Sequence, residues 1–209
     1  MKIHTNTGGL AVTNAYLIVD ETTGMAALID APHNTTAPLM NVAKHNNWTI
    51  QYLLLTHGHW DHISDHKVVT DQYPQAQILI HHLDEPQLLT PGSLFFQLPY
   101  KIPPRKADGY LEDGQMVHIG NLEFTVMFTP GHSPGHVVLY CPAESLLISG
   151  DLLFAGTVGR TDLPDSNPDD MRQSLLCVAE LPDTTDVRPG HGPPTTIGAE
   201  KISNPFFNF

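Results

Sequence analysis

The chain has 209 residues, of which 41% are hydrophobic and 15% charged, a globular composition that excludes a disordered chain. Lys and Arg number 10 against 22 Asp and Glu, so the formal charge is −12, which disfavours nucleic-acid and anionic-membrane partners. The sequence has no long apolar run for a membrane helix and no secretory signal, so we expect a cytoplasmic protein. Cys141 and Cys177 lie in apolar surroundings and are predicted to be buried free thiols.

The predicted elements mix strands and helices along the whole chain. Strands are predicted over residues 10–20, 25–30, 50–55, 77–81, 116–119, 122–129, 137–141, 144–149 and 186–189. Helices are predicted over residues 35–45, 60–73 and 167–180, and a last one begins at Thr195 or Thr196. Residues 86–110 carry five prolines and are predicted to be irregular. This order predicts one α/β domain over residues 1–209, monomeric or homodimeric, with two packed sheets and helices outside.

Residue types that bind metals recur at the ends of apolar strands. A cluster of four follows the strand over residues 50–55, and single candidates follow three later strands. They are His57, His59, Asp61 and His62, then His132, Asp151 and His191. Strand ends followed by glycine-containing loops are places where side chains distant in sequence converge. Imidazoles and carboxylates without thiolates favour borderline divalent metals such as zinc, iron or nickel over magnesium.

The spacing within residues 57–62 divides these ligands into two sets. His57 and His59 are two apart, so in an extended loop both can face one ion, while the adjacent Asp61 and His62 turn to a second. A carboxylate that bridges two ions must lie between them, and Asp151 is the candidate. Three imidazoles and a carboxylate within six residues have no role in a core, so the cluster predicts a metal centre.

Four motifs together resemble the metallo-β-lactamase superfamily over nearly the whole chain. They are Thr-His-Gly-His-Trp-Asp-His at 56–62, Thr-Pro-Gly-His-Ser-Pro-Gly-His at 129–136, Ser-Gly-Asp at 149–151 and Pro-Gly-His-Gly at 189–192. Within that superfamily the chain resembles the glyoxalase II-like (hydroxyacylglutathione hydrolase-like) branch. Gly-Arg-Thr-Asp at 159–162 and Asn-Pro-Phe-Phe at 204–207 resemble its short bacterial members, which lack a C-terminal helical substrate domain. The resemblance implies a four-layer αββα sandwich with its site in a groove at the sandwich edge.

The resemblance also implies the division of ligands between two divalent ions, with Zn²⁺ favoured and Fe or Mn as alternatives. The first set is His57, His59 and His132, the second is Asp61, His62 and His191, and Asp151 bridges the two. Asp61 and Asp151 are the expected catalytic carboxylates, and His136 is expected to support the ligands. A metal-bridging hydroxide would attack a thioester carbonyl, and the thiolate leaves without a strong general acid.

Basic residues in two places are the candidates for substrate binding. Glutathione-handling members of that branch place Lys and then Tyr in the loop after the bridging Asp, where this chain has Arg160 and Asp162. Arg160 can grip a carboxylate with two hydrogen bonds, or brace the loop by pairing with Asp162. The densest basic run is Lys101, Arg105 and Lys106. Phe95, Phe96 and Tyr100 lie beside this run. We expect the segment over residues 86–110 to border the groove and meet an anionic, partly apolar small molecule; a solvated loop with a buried aromatic anchor is the alternative.

Three activities remain open at this point. The leading hypothesis is hydrolysis of a thioester of the S-acylglutathione type, such as S-lactoylglutathione. A mononuclear iron persulfide dioxygenase is the second, because such enzymes resemble this chain in the histidine cluster and in the Gly-Arg-Thr-Asp stretch. The third is hydrolysis of another ester, thioester or lactam. Metal content separates the first two.

Overall fold

Two six-stranded sheets lie face to face in a computed structural model of the protein, which describes residues 1–207. The first sheet runs in the order β1 (Lys2–Gly8), β2 (Thr13–Asp20), β3 (Met25–Ile29), β4 (Thr49–Leu54), β5 (Gln77–Ile80) and β6 (Gly109–Tyr110). The second contains β7 (Met116–Ile119), β8 (Leu122–Phe128), β9 (Val137–Cys141), β10 (Leu146–Gly150), β13 (Asp186–Pro189) and β14 (Thr195–Thr196). A short hairpin joins β11 (Leu153–Phe154) to β12 (Thr157–Val158).

Helices cover the outer faces of both sheets. They are α1 (Thr36–His45), α2 (Trp60–Ile63), α3 (His66–Gln72), α4 (Glu85–Leu89), α5 (Pro168–Ala179) and α6 (Ile197–Ser203). Strand β2 is buried along its whole length, and its side chains alternate between two cores. Leu17 packs in the core under α1 and α3, while Ile18 packs between the sheets. A third core lies between the second sheet and α5 and α6. These layers confirm the predicted α/β class and αββα sandwich.

Parallel strands bring the polar loops to one edge of the sandwich. Strands β3, β4, β5 and β6 are parallel neighbours, so their carboxyl ends meet at the same edge. In the second sheet β10 and β13 are also parallel. A bridge between Thr13 and His191 joins the two sheets there. The loops after β4, β10 and β13 therefore converge.

The predicted helix over residues 60–73 is interrupted. Helix α2 ends at Ile63 and α3 begins at His66, because Asp65 makes contacts outside the helix. Its backbone N–H donates to the Ala31 carbonyl, and its carboxylate accepts from the Thr36 hydroxyl. The break separates α2, which carries Asp61 and His62, from α3, which packs on the core through Val69.

Several elements differ from those that the hydrophobic pattern of the sequence predicts. Strand β1 is a half-exposed edge strand of mostly polar residues, and the strand predicted from residue 10 begins at Thr13. The segment over residues 86–110 was expected to be irregular but includes α4 and β6. Cys141 is buried as predicted, whereas Cys177 is exposed because it lies on the outer face of α5.

Within residues 1–207, none of the helices is long and apolar enough to cross a bilayer. Near the C-terminus, Phe207 packs on the core beneath α5 and α6, and Phe206 is exposed. The sequence predicts that Phe206, Phe207 and Phe209 form a tail packed on the core; Phe209 lies outside the described residues.

Candidate metal centre

The seven predicted ligands meet at the sandwich edge, although they come from four separate loops. Their candidate ligand atoms form three overlapping groups, each with its atoms within 4.8 Å of one another. The groups are His57 with His59 and His132, His57 with His62 and Asp151, and Asp61 with His62 and His191.

In the first set, burial favours the neutral form of His57 and His59, and a backbone carbonyl orients His132. His132 Nδ1 donates to the Arg160 carbonyl at 2.9 Å, which directs its Nε2 inward. That Nε2 lies 2.9 Å from His59 Nδ1. Burial, reinforced by the charge of His132, lowers the pKa of His59 to about 4, and burial also holds the pKa of His57 well below its usual value. These rings therefore present free lone pairs at neutral pH.

The second set combines one carboxylate, Asp61, with the imidazoles of His62 and His191. Asp61 Oδ2 accepts from the Thr13 hydroxyl at 2.9 Å and lies 3.3 Å from His191 Nε2. Burial alone would raise the pKa of Asp61, but the charge of His62 and the His191 hydrogen bond lower it to about 2. Asn14 fixes the loop of His191, since its side-chain amide donates to the carbonyls of Pro189 and Gly192.

Asp151 touches members of both sets. Its Oδ1 lies 3.3 Å from His62 Nε2, and its Oδ2 lies 3.3 Å from His132 Nε2 and 3.4 Å from His191 Nε2. Gly190 makes this approach possible, because a Cβ at that position would collide with Asp151 Oδ1. One carboxylate is thus positioned between the two imidazole groups.

Unpaired buried atoms indicate that a cation belongs at this centre. His57 Nε2 and Asp151 Oδ1 are buried without a hydrogen-bond partner. Buried polar atoms are almost always paired, and a lone pair on each of these atoms can be satisfied by a metal ion. The donor set of imidazoles and carboxylates suits a borderline divalent ion. The residues therefore fit the metal that the sequence predicts.

Asp30 supports the centre from behind and was not recognised as a site residue in the sequence. Its Oδ2 accepts from His62 Nδ1 at 2.8 Å and from the Thr56 hydroxyl at 2.9 Å. Its Oδ1 accepts from the Thr56 backbone N–H. This hydrogen bond fixes the His62 ring with Nε2 inward. The signal was present, because Asp30 follows β3 in the way that the ligands follow their strands.

A second unrecognised carboxylate, Asp84, connects the ligand loops after β4 and β8. It accepts from the Gly58 backbone N–H at 2.8 Å and from the Ser133 hydroxyl at 2.6 Å. It also accepts from the Gly135 backbone N–H. Burial raises the pKa of Asp84 although these donors oppose the shift. A single Asp among ordinary loop residues gives no sequence signal of such a role.

His136 lies beside the ligands and holds Asp151. The Asp151 backbone N–H donates to His136 Nε2 at 2.9 Å. His136 Nδ1 lies 2.9 Å from the Thr129 hydroxyl oxygen, which can accept a hydrogen bond from it. Burial lowers the pKa of His136 to about 3, so the ring is neutral and can accept that hydrogen bond. His136 therefore contacts the backbone of Asp151 and is not a member of the three ligand groups.

A cavity of about 630 Å³ opens onto the ligands. Its lining includes an exposed apolar lip formed by Leu94, Phe95 and Phe96, and also Leu163 and Pro164 from the loop that follows β12. Of the predicted substrate residues, Arg160 lines this cavity. Its guanidinium donates to both carboxylate oxygens of Asp162, at 2.6 and 2.8 Å.

The structure does not bring the other three basic candidates to this cavity. Lys101 lines a neighbouring depression that shares Gly92, Ser93 and Phe96 with the cavity, and neither Arg105 nor Lys106 is among the cavity-lining residues. Arg105 instead pairs with Asp108 at 2.8 Å. Its backbone N–H donates to the Leu88 carbonyl, which fixes this part of the chain against α4.

Comparison with known proteins places this architecture in a family. Residues 8–191 match the family described as the metallo-beta-lactamase superfamily. A probable metallo-hydrolase of Streptococcus pyogenes is 33% identical and aligns with 100% of this chain and 91% of its own length. A hydroxyacylglutathione hydrolase of Mesorhizobium japonicum is 31% identical, over 84% of this chain and 60% of its own.

Solved structures give the same result as the sequence comparisons. The B3 metallo-beta-lactamase BLEG-1 superposes with a TM-score of 0.91 and 33% identity over 100% of both chains. TTHA1623 in a di-iron-bound form gives a TM-score of 0.84 at 35% identity over 97% of this chain and 99% of its own. ETHE1 from Myxococcus xanthus gives a TM-score of 0.80 at 28% identity, over 98% of this chain and 84% of its own. The chain therefore belongs to the metallo-β-lactamase superfamily, a family of metallo-hydrolases, and its His/Asp cluster is a divalent-metal site.

Proposed function

We propose that the protein is a dinuclear metallo-hydrolase that cleaves thioesters, with S-acylglutathiones as its reference substrates. The observation that carries this proposal is the position of Asp151, whose two oxygens reach His62 on one side and His132 on the other. His57, His59 and His132 would hold one ion, and Asp61, His62 and His191 the other. Zn²⁺ is the favoured metal. When bound, the ions supply Lewis acidity, acidify water into a nucleophile and stabilise an oxyanion.

The chain's own residues keep the ligands oriented for this task. Asp30 fixes His62, the Arg160 carbonyl fixes His132, and Thr13 fixes Asp61. Each contact holds the donor atom inward before a metal arrives, which reduces the reorganisation needed on binding. Asp61 and Asp151 stay ionised at neutral pH because their neighbours lower the pKa of both carboxyls.

A thioester suits this site better than an amide. Among the described residues that line the cavity, none is a Lys, a Tyr or a histidine outside the ligand set. Asp165 is the one carboxyl outside that set, and it accepts a hydrogen bond from the Gln87 amide. A leaving amine needs a proton from such a group, whereas a thiolate leaves without one. The Mesorhizobium hydroxyacylglutathione hydrolase supports the same substrate class.

The test is metal analysis and activity measurement on one preparation. We expect about two zinc-like ions per chain and hydrolysis of S-lactoylglutathione and other S-acylglutathiones. One iron per chain with oxygen uptake on a persulfide, and no hydrolysis, would establish the dioxygenase instead. A β-lactam hydrolysed with a higher kcat/KM than any thioester would overturn the substrate class.

Ligand variants complete the experiment. His59→Ala and Asp61→Ala should each lose hydrolysis and metal content together. His118→Ala is the matched control, because His118 is exposed on β7, away from the cavity-lining residues. Intact hydrolysis in both ligand variants would refute the mechanism.

A further inference from the structure

The lip formed by Leu94, Phe95 and Phe96 exposes apolar surface beside the metal ligands. Their exposed fractions are 69%, 63% and 49%. Single exposed apolar residues are ordinary, but three in succession at the mouth of a cavity form a patch of the kind that binds ligands.

Contacts on both sides hold the lip over the cavity. Phe96 packs edge-to-face on Trp60, with ring centroids 5.5 Å apart, and Trp60 stands between the ligands His59 and Asp61 in sequence. On the other side, the Arg160 guanidinium lies 6.0 Å from the Phe95 ring centroid, within range of a cation–π contact. The lip is therefore connected to the metal-ligand turn and to the loop that follows Asp151.

The electrostatics of the cavity favour an apolar group at the lip. Arg160 is the one Lys or Arg among the described residues that line the cavity, and its guanidinium already donates to both carboxylate oxygens of Asp162. Asp165 adds a carboxylate to the cavity lining. A glutathione moiety carries two carboxylates and finds no free cationic partner on these walls. We therefore expect the glutathione moiety of the substrate to extend towards solvent, while the acyl group lies against the lip.

We propose that the lip and the Leu163–Pro164 wall form a subsite for an apolar acyl group, so that the enzyme prefers medium-chain or aromatic acyl thioesters to the lactoyl thioester. This inference rests on the proposed thioester hydrolysis. Phe95 is the main specificity-determining residue of this subsite, because the Phe96 ring already packs against Trp60. The preference arises from burial of apolar surface, which is proportional to the area removed from water.

The experiment varies the acyl group at constant thiol on the metal-loaded enzyme. The substrates are S-acetyl-, S-butanoyl-, S-hexanoyl-, S-octanoyl- and S-lactoylglutathione. We expect kcat/KM to rise about two- to fourfold per methylene until the cavity is filled. A flat or falling series would overturn the subsite while leaving thioester hydrolysis intact. Absence of hydrolysis for every member would instead refute the proposed function.

Variants then locate the effect. Phe95→Ala should lower kcat/KM about tenfold for the octanoyl substrate and less than twofold for the acetyl substrate, and Phe95→Leu should retain most of the preference. Ile202→Ala removes an apolar side chain of α6 that is exposed to an even greater extent, 87%, and should change neither value. An equal loss for both substrates in Phe95→Ala would overturn the assignment of the subsite to the lip.

Binding to metal-free protein gives a readout that is independent of catalysis. S-octylglutathione and S-methylglutathione carry the same charges and differ in their apolar arm. Calorimetry should give a Kd at least tenfold lower for the octyl compound, and Phe95→Ala should remove most of the difference. Equal affinities of the two compounds for the unmodified protein would refute the subsite.

Discussion

The metal-ligand edge and the apolar lip lie on the same cavity but are built in opposite ways. At the edge, His57 and His62 are fully buried, and hydrogen bonds to Thr56 and Asp30 fix their outer nitrogens. At the lip, Phe95 is mostly exposed, and its backbone N–H donates to the hydroxyl of nearby Ser93. The fold thus holds the chemistry rigidly and presents substrate contacts on an irregular segment.

This difference determines how each region responds to change. Altering the edge disturbs charges in a buried environment, where an unmatched group costs several times more than it would in water. Altering the lip changes exposed apolar area, which affects binding of one substrate against another and leaves stability almost unchanged. The first three predictions test the edge, and the last tests the segment that carries the lip.

The largest expected effect is a pH dependence that appears when metal is removed. Burial opposes a charge on His191, but Asp151 and Asp61 outweigh it and raise the pKa of His191 to about 9. A histidine with a raised pKa stabilises the fold fully below its unfolded pKa of about 6.5, and this stabilisation is lost as the pH rises through about 9. The chelated protein should lose on the order of 3 kcal/mol of unfolding free energy between pH 6.5 and 9.

Urea denaturation in excess chelator measures this dependence. His62, whose pKa the carboxylates of Asp151, Asp30 and Asp61 raise despite its burial, adds to the effect in the same direction. Chelated His191→Asn should show a smaller slope, and metal-loaded protein should not lose stability in this range, because metal binding needs neutral imidazoles. Stability that increased with pH in the chelated protein would contradict the electrostatics of the second ligand set.

Asp30→Asn should lower metal affinity and kcat/KM by about 10- to 100-fold. The amide no longer attracts the His62 Nδ1 proton as a carboxylate does, so the ring is held less firmly with Nε2 inward. Asn is the suitable replacement because Asp30 has a φ of +57°, a conformation that Asn tolerates. Titration with a competing chelator measures the affinity.

Asp71→Asn is the control for this substitution. It removes an exposed carboxylate that pairs with Lys67 on α3 and should leave both quantities unchanged. Normal metal affinity in Asp30→Asn would mean that His62 is oriented by its packing alone.

Asp84→Asn should lower the free energy of unfolding by about 2 kcal/mol, because Asp84 is a buried charged acceptor for three donors. We also expect a loss of kcat/KM, since Gly58 and Gly135 belong to the two loops that present His59 and His132. Thermal unfolding and initial rates measure the two effects. Glu112→Gln, an exposed carboxyl nearby in the fold, is the control, and equal stability of the two variants would contradict the proposed connection between the loops.

The same contrast explains what the sequence could predict. Ligands such as His57 and His132 follow strongly apolar strands and carry motif spacing, so their convergence could be inferred from residue types and strand ends. Asp84 could not be identified, because its role depends on a contact between β4, β8 and the loop after β5 that no local pattern encodes. For the lip, the sequence predicted that the proline-rich segment over residues 86–110 borders the groove. It could not predict which aromatic side chains of that segment face the cavity.

The smallest expected effect concerns the basic run that was predicted to meet the substrate. The Arg105→Ala/Lys106→Ala double variant should change KM for S-acylglutathiones by less than about twofold, because Arg105 is paired with Asp108 and neither residue lines the cavity. Steady-state kinetics with the acetyl and octanoyl substrates measures this, beside Phe95→Ala, which should discriminate between the two. A KM raised severalfold for both substrates would show that these cations act on the substrate from outside the cavity. The carrier thiol would then be the recognised part, and the division between a rigid catalytic edge and an apolar lip would need a third, electrostatic component.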